Sequence, residues 1–259
     1  MERHLPAVRG CVLDLSGVLH VGSTPLPGAR EALAQLRRLP LALRFLTNTS
    51  RTPHAVLLDH LARMGFDIPA AELLTAPLAT RAVLERRCLR PYFLIHPHLR
   101  PDFVGLNTRM PNAVVVGDAG RYFTYRRLNT ALRLLVDGAP LIAIANNRYF
   151  MSDDGLNLDA GAFVAGLEYA AGCRAETLGK PAPGIFLEAC AQMGLPPASV
   201  MMVGDDVQAD VLGALDAGLQ AVLVRTGKFR ETDLQQLGGR APVHDDLKRL
   251  VNALSAAMG

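Results

Sequence analysis

The chain has 259 residues, of which 50% are hydrophobic and 20% charged, so it is long enough for one large domain or two smaller ones, each with its own core. This apolar content excludes an intrinsically disordered chain, and 23 glycines and 17 prolines without a period exclude a collagen-like or low-complexity one. The net charge of +3 comes from 24 arginines and only 3 lysines, Lys180, Lys228 and Lys248.

The basic residues are dispersed along the chain, whereas nucleic-acid binding requires them to gather on one face. We therefore expect no nucleic-acid partner. No stretch approaches the ~18 uncharged apolar residues of a membrane span, and no apolar signal segment follows the first methionine, so the sequence predicts a cytoplasmic protein without a membrane partner. The 4 cysteines lie far apart without metal-site spacing, and we expect them to be small buried apolar residues.

The first third of the chain alternates strands and helices. Residues 8–15 form a short apolar run rich in branched side chains, which predicts a buried strand. An amphipathic helix is predicted over 29–39, a second apolar strand over 41–46 and a second helix over 53–64. Because strand, helix and strand in this order build a right-handed crossover, the alternation predicts a parallel sheet with helices on its faces.

The same alternation returns late in the chain, with helices predicted over 183–193, 209–217 and 245–257 and strands over 200–203 and 220–224. The block between the two halves has strands predicted at 92–95, 113–116 and 141–144 and helices at 127–136 and 162–171. About a hundred residues is long for a connection but right for a domain. The sequence thus predicts an α/β fold: a Rossmann-like parallel-sheet core from residues 1–78 and 177–259, and an inserted α/β domain over 79–176.

Polar residues stand at the carboxyl ends of the predicted core strands, where open parallel sheets bind their ligands. The four groups are Asp14-Leu15-Ser16-Gly17-Val18-Leu19, Thr47-Asn48, Gly179-Lys180-Pro181, and Gly204-Asp205-Asp206 with Asp210 behind it. Carboxylates from two strand ends suit Mg²⁺, which takes one or two of them besides water and phosphate oxygens. A hydroxyl, exposed main chain and an ammonium would hold a phosphoryl group, which one carboxylate could accept as an aspartyl phosphate. The pattern predicts Mg²⁺-assisted phosphoryl transfer.

In order and spacing, these four motifs resemble those of the haloacid dehalogenase superfamily of phosphatases. The inserted block stands where that superfamily's larger type of cap domain, type C2, stands, so the resemblance covers nearly the whole chain. It implies that Asp14 is the nucleophile and a Mg²⁺ ligand. It also implies that Ser16 is a ligand through its main-chain carbonyl and that Asp205 is the second acidic ligand.

The resemblance further implies a phosphate-binding set and a group of acids behind the metal ligands. The phosphate-binding residues would be Ser16, Thr47, Asn48 and Lys180, with Lys180 bridging Asp14 and the transferred group. Asp206 and Asp210 would lie behind the ligands. The expected partner is a small phosphorylated substrate; oligomeric state stays open, with a homodimer through the cap as one option.

One position departs from the pattern of the superfamily. Most of its phosphatases carry a second aspartate two residues after the nucleophile, which protonates the leaving group and then activates water; here that position is Ser16. Because an ordinary serine hydroxyl cannot deliver a proton near pH 7, a contribution of about 10²- to 10⁴-fold is missing or comes from elsewhere. We therefore hypothesise substrates with good leaving groups: phosphoramidates, pyrophosphate or aryl phosphates.

Several of these residues also have a plainer structural explanation. Thr47-Asn48-Thr49-Ser50 is also an ordinary N-cap cluster for the helix that follows. Asp206 could sit in a solvated turn, and Asp210 could be a first-turn acid stabilised by the helix dipole. We expect Lys228, which follows Gly227, to occupy a turn with a structural role.

Two other functions use the same fold. The first is a catalytically weak protein that binds a phosphorylated ligand or partner, which the missing aspartate makes thinkable. The presence of Asp14, Lys180 and Asp205 argues against it, because a pure binder needs no nucleophile. The second is a carbon–halogen hydrolase, which ranks last because an acidic metal ligand at Asp205 has no role in that chemistry.

Overall fold

A computed structural model describes residues 8–152 and 155–258, apart from the side chains of residues 150–152 and 156. The chain packs as two units. The first contains the described residues through Thr47, then Leu58–Leu74 and the chain from Lys180 onward; the second contains Asn48–Leu57 and Thr75–Gly179. Each unit has its own sheet with parallel strands, so the predicted α/β fold with an inserted α/β domain is confirmed. The domain limits at 78/79 and 176/177 stay a prediction.

Strands and helices alternate along the described chain. The strands are β1 (Gly10–Asp14), β2 (His20–Val21), β3 (Thr24–Pro25), β4 (Ala42–Thr47), β5 (Leu73–Thr75), β6 (Pro91–Leu94), β7 (Ala113–Val116), β8 (Leu141–Ala143), β9 (Tyr149–Ser152), β10 (Gly155–Leu158), β11 (Glu176–Thr177), β12 (Val200–Gly204), β13 (Gln220–Val224) and β14 (Val243–His244). The α-helices are α1 (Ala29–Leu36), α2 (His54–Arg63), α3 (Ala76–Arg86), α4 (Tyr125–Val136), α5 (Ala160–Ala171), α6 (Pro183–Met193), α7 (Gly213–Asp216), α8 (Asp233–Leu237) and α9 (Leu247–Met258).

The sheet of the first unit has the strand order β14-β13-β12-β1-β4-β5. Its inner strand β1 pairs in parallel with β12 on one side and β4 on the other. Every residue of β1 is buried, as expected for a strand of a parallel sheet with both faces covered. Because the chain leaves β1 toward β4 and returns to β12 on the opposite side, the strand order reverses at β1. Open parallel sheets bind their ligands where the strand order reverses, so we expect a ligand site at the carboxyl ends of β1 and its neighbours.

The second unit is built around a four-stranded sheet of order β11-β8-β7-β6, whose strands pair in parallel. Apolar side chains of these strands, such as Leu94 and Val116, pack with Leu135 of α4 and Val164 of α5 into one hydrophobic cluster. A separate core of this kind is what an independent domain requires. Strands β9 and β10 form an antiparallel hairpin.

One helix begins earlier than its apolar pattern predicts. The helix predicted over 209–217 starts as a π-helical turn over Val207–Leu212 and continues as α7. The reason is a cap: the Asp206 side chain accepts the backbone N–H groups of Gln208 and Ala209, at 3.1 and 2.9 Å. The first helix is shorter than predicted and ends at Leu36.

The cysteines differ in burial. Cys11 and Cys190 are buried as expected, Cys173 is half-buried, and Cys88 is exposed, so the expectation is wrong for Cys88. Within the parts of the chain that the structure describes, no helix is both long and apolar enough to cross a bilayer.

We expect the core sheet to depend strongly on the side chains of β1. Leu13 is fully buried in β1, whereas Leu187 on α6 is 44% exposed. Leu13→Ala should lower the free energy of unfolding by about 2–5 kcal/mol because it leaves a cavity, and Leu187→Ala by less than about 1 kcal/mol. Urea unfolding of the two variants checks this, and equal losses would contradict the buried position of β1.

Candidate active site

Parallel pairing brings the ends of three core strands together. Asp14 is the last residue of β1 and stands opposite Leu46 of β4, so Thr47 lies one residue beyond it on the neighbouring strand. On the other side Leu13 stands opposite Val203 of β12, which places Asp205 just beyond the end of that strand. The strand ends therefore collect the predicted nucleophile, a hydroxyl and a second carboxylate at one edge of the sheet.

A buried lysine connects two of the acids. The Nζ atom of Lys180 lies 2.7 Å from Asp14 Oδ1 and 2.7 Å from Asp210 Oδ1, and it donates to the Leu46 carbonyl at 3.3 Å. Lys180 is only 3% exposed. Burial alone would lower the pKa of its ammonium, but the two carboxylates outweigh that effect and raise the pKa above its usual value. Lys180 is thus a fixed positive charge beside Asp14, joined to Pro181 by a cis peptide.

The arrangement fits a divalent cation. Carboxylate oxygens of Asp14, Asp205 and Asp210 lie within 4.8 Å of one another, all three residues being buried. When all three carboxylates are ionised, they and the ammonium of Lys180 together carry two negative charges. In the described structure Asp205 Oδ1 is buried and accepts no hydrogen bond. Buried oxygens normally have a partner, and a metal ion would supply one here. Burial, with the nearby charges of Asp14 and Asp210, raises the pKa of Asp205.

Asp206 and Asp210 have different surroundings. Asp210 is fully buried, and its Oδ2 accepts the backbone N–H of Asp206 at 3.1 Å while its Oδ1 faces Lys180. Asp206 caps the π-helical turn and receives Lys228 Nζ at 3.3 Å. Asp210 therefore acts on Asp14 through Lys180, and Asp206 holds the loop that carries Asp205.

The remaining predicted residues belong to the loops that follow β1 and β4. Ser16 is exposed, and Gly17 N–H donates to the His20 carbonyl at 2.7 Å, closing the turn after Asp14. Thr47 is the last residue of β4 and is buried. Asn48 is the first residue of the second unit, where its Oδ1 lies 2.6 Å from the place that a Cβ on Gly179 would take.

Sequence reasoning did not single out the loop after β13 as part of the site. Lys228 N–H donates to Asp205 Oδ2 at 2.6 Å, and the Thr226 hydroxyl donates to the Gly17 carbonyl. A Cβ on either Gly17 or Gly227 would lie 2.0 Å from Asp205 Oδ2. The expected turn at Lys228 is present, but its backbone touches the acid cluster.

Comparison with known proteins identifies the family. Residues 11–107 match the family described as "Haloacid dehalogenase-like hydrolase", and residues 177–250 match one described as "HAD-hydrolase-like". Human "Haloacid dehalogenase-like hydrolase domain-containing protein 2" is 45% identical over 231 residues, covering 89% of each chain. The chain belongs to the haloacid dehalogenase-like hydrolase family. The resemblance stated from the four motifs is therefore confirmed.

Other members of this family are similar over most of the chain. Human "Phospholysine phosphohistidine inorganic pyrophosphate phosphatase" is 41% identical and covers 89% of this chain and 88% of its own length. The structure of a p-nitrophenyl phosphatase from Archaeoglobus fulgidus superposes with a TM-score of 0.88 at 28% identity, covering 96% of this chain and all of that one (100%). A glycerol phosphate phosphatase from Mycobacterium tuberculosis, in complex with magnesium, has a TM-score of 0.82 at 26% identity and covers 93% of this chain and 76% of that one. The chain is an enzyme of a hydrolase family, as the sequence predicts, and three of the four similar proteins named here are phosphatases.

The ion pairs of Lys180 give a stability prediction. Lys180→Met removes the ammonium but keeps much of the side-chain volume, leaving Asp14 and Asp210 buried together without compensation. We expect a loss of about 3–5 kcal/mol in the free energy of unfolding without added metal. Urea unfolding measures it, with Lys248→Met, at an exposed lysine, as the matched control. Equal unfolding midpoints for the two variants would show that Lys180 does not hold the acids together.

Proposed function

We propose that the protein is a Mg²⁺-dependent phosphohydrolase that transfers the phosphoryl group of a small phosphorylated substrate to Asp14 and then releases it to water. The observation that carries this proposal is the placement of the Asp14 carboxylate 2.7 Å from the buried ammonium of Lys180, within an acidic cluster. A nucleophile, a fixed cation and a set of metal-type oxygens in one place are the groups that phosphoryl transfer needs.

Asp14, Asp205 and the main-chain carbonyl of Ser16 would hold the Mg²⁺ ion. When bound, the ion would neutralise charge on the phosphoryl oxygens and help to orient the group for attack. Two observations support this assignment: the buried Asp205 Oδ1 that accepts no hydrogen bond among the described residues, and the surplus of two negative charges. The similar glycerol phosphate phosphatase was solved in complex with magnesium.

The chain's own residues would carry two displacement steps. In the first, an oxygen of Asp14 forms a bond to phosphorus while the bond to the leaving group breaks, and the leaving group takes the electron pair. In the second, the oxygen of a water molecule forms a bond to phosphorus while the bond between phosphorus and Asp14 breaks. The Asp14 carboxylate returns with that electron pair, and the protons of the water leave on the inorganic phosphate or pass to solvent. The Lys180 ammonium would offset the negative charge on the transferred group, and Thr47 and Asn48 would bind its oxygens.

Ser16 points to the substrate class. Its side chain is exposed two positions after the nucleophile, where it offers a hydroxyl and no carboxyl group. A leaving group would therefore depart with little proton donation from this position, which favours phosphoramidates, pyrophosphate and aryl phosphates. The names of the similar phospholysine phosphohistidine inorganic pyrophosphate phosphatase and of the p-nitrophenyl phosphatase support this class. The cytoplasmic location and the homodimer through the cap stay predictions.

Replacing the nucleophile tests the proposed function. Asp14→Asn keeps the side-chain shape but cannot form an acyl phosphate, so turnover of 4-nitrophenyl phosphate with Mg²⁺ should fall at least about 10³-fold. The control is Asp137→Asn, at an exposed aspartate, which should keep wild-type turnover. Comparable turnover by Asp14→Asn would refute the covalent mechanism. A folded wild-type protein that turns over none of a broad panel of phosphates would instead support the weak phospho-ligand-binding alternative.

The leaving-group hypothesis has a separate test. Ser16→Asp places a carboxyl group at the position of the missing acid, so it should raise kcat/KM for glycerol phosphate by about 10-fold or more relative to its effect on 4-nitrophenyl phosphate. The reason is that an alkoxide leaves poorly without a proton, whereas nitrophenolate does not need one. Steady-state measurements of kcat/KM on both substrates at saturating Mg²⁺ test this prediction. An equal change in kcat/KM on both substrates would contradict the hypothesis.

A further inference from the structure

The loop after β13 contacts the turn after the nucleophile and the second predicted metal ligand. Its residues Thr226, Gly227 and Lys228, here called the bracing loop, follow one another in the chain. The Thr226 hydroxyl donates to the Gly17 carbonyl, and Lys228 N–H donates to Asp205 Oδ2 at 2.6 Å. One short loop thus holds backbone from the end of β1 and a carboxylate from the end of β12.

The Thr226 contact fixes the second of two peptide groups that flank Gly17. The first, between Ser16 and Gly17, has its N–H bound to the His20 carbonyl at 2.7 Å. Because N–H and C=O point in opposite directions in a trans peptide, this bond also sets the direction of the Ser16 carbonyl. The second peptide has its carbonyl held by Thr226. With both sides fixed, Gly17 stays at its left-handed φ of 87° and the Ser16 carbonyl keeps one orientation.

Steric contact fixes the Asp205 carboxylate in the same way. A Cβ on Gly17 would lie 2.0 Å from Asp205 Oδ2, and a Cβ on Gly227 would lie 2.0 Å from the same oxygen and 2.5 Å from the Gly17 Cα. The carboxylate therefore lies in a slot between two glycine backbones. Lys228 N–H occupies Oδ2, which leaves the buried Oδ1 as the oxygen that accepts no hydrogen bond in the described structure.

We propose that Thr226 is a positioning residue that orients the Ser16 carbonyl and the Asp205 carboxylate for Mg²⁺ through its hydrogen bond to Gly17. The proposal rests on the proposed function, because it concerns the ligands of that metal. Thr226 would not touch the substrate or the metal. It would keep the Ser16 carbonyl, which follows β1, and the Asp205 carboxylate, which follows β12, in fixed positions relative to each other. Groups that orient metal ligands in this indirect way typically change metal affinity or activity by about 10- to 100-fold when removed.

The test measures Mg²⁺ binding directly. Thr226→Val keeps the shape but removes the donor, and Thr226→Ser keeps the donor. Calorimetric titration of the full-length, substrate-free protein with MgCl₂ should show Kd for Mg²⁺ raised about 10- to 100-fold in Thr226→Val and within about threefold of wild type in Thr226→Ser. The Mg²⁺ concentration for half-maximal turnover of 4-nitrophenyl phosphate should rise in parallel, while KM for that substrate at saturating Mg²⁺ stays within about twofold.

A pair of glycine variants gives a second measurement should Thr226→Val fold poorly. Gly227→Ala pushes a methyl group against Asp205 at a φ of 61°, whereas Gly238→Ala has the same kind of backbone, at a φ of 55°, with open space around it. We expect weakened Mg²⁺ binding in Gly227→Ala and wild-type binding in Gly238→Ala.

The outcomes separate this inference from the proposed function. If wild type binds Mg²⁺ and Thr226→Val binds it equally well, or if Thr226→Ser is as weak as Thr226→Val, the positioning role is refuted and the proposed function stands. If wild type itself neither binds Mg²⁺ nor turns over phosphate esters, the proposed function fails and the inference fails with it.

Discussion

A surplus of buried negative charge is the constraint on which the site depends. Asp14, Asp205 and Asp210 are withdrawn from water around one ammonium, Lys180, and burying an uncompensated carboxylate is costly. Backbone groups supply part of the compensation, since Asp210 accepts the N–H of Asp206 and Asp205 that of Lys228. The remaining charge is unfavourable in the metal-free state. A divalent cation would neutralise the remaining negative charge, so the electrostatic repulsion among these carboxylates favours cation binding.

The main residues of the site could be predicted because their positions follow from a simple pattern. The apolar runs that become β1 and β12 end in the polar stretches Asp14-Leu15-Ser16-Gly17 and Gly204-Asp205, and parallel pairing places such ends side by side. Lys180 stood out because lysine is scarce in the chain. Its pairing with Asp210 does not follow from the sequence, which predicts only that Asp210 lies behind the ligands. In the structure Asp210 Oδ1 lies 2.7 Å from the same Nζ atom that reaches Asp14.

The bracing loop could not be predicted for a physical reason. Thr226 and Gly17 are 209 positions apart, and a Thr-Gly-Lys stretch has the composition of any surface turn. The need for glycine at 17 and 227 arises from the close approach of Asp205, which no local pattern encodes. The early start of the helix after β12 could not be predicted either, because an aspartate that caps a helix and one in a solvated turn look alike in sequence. Contacts between distant loops decide these features, whereas local patterning decides the strands.

Ser16, two residues after Asp14, would have two separable roles in the proposed mechanism. A main-chain carbonyl can serve as a metal ligand whatever side chain the residue carries, and at Ser16 the hydrogen bond of the next N–H sets the direction of that carbonyl. The side chain is exposed and would act only in proton transfer, to the leaving group and then from the attacking water. Replacing an aspartate by serine there would therefore spare the nucleophile, the cation and the metal ligands, and remove only proton transfer. Such a site would keep the activation barrier low for leaving groups that depart as stable anions and high for alkoxides. One side-chain substitution that leaves the backbone unchanged would then set substrate selectivity while the other groups of the site stay in place.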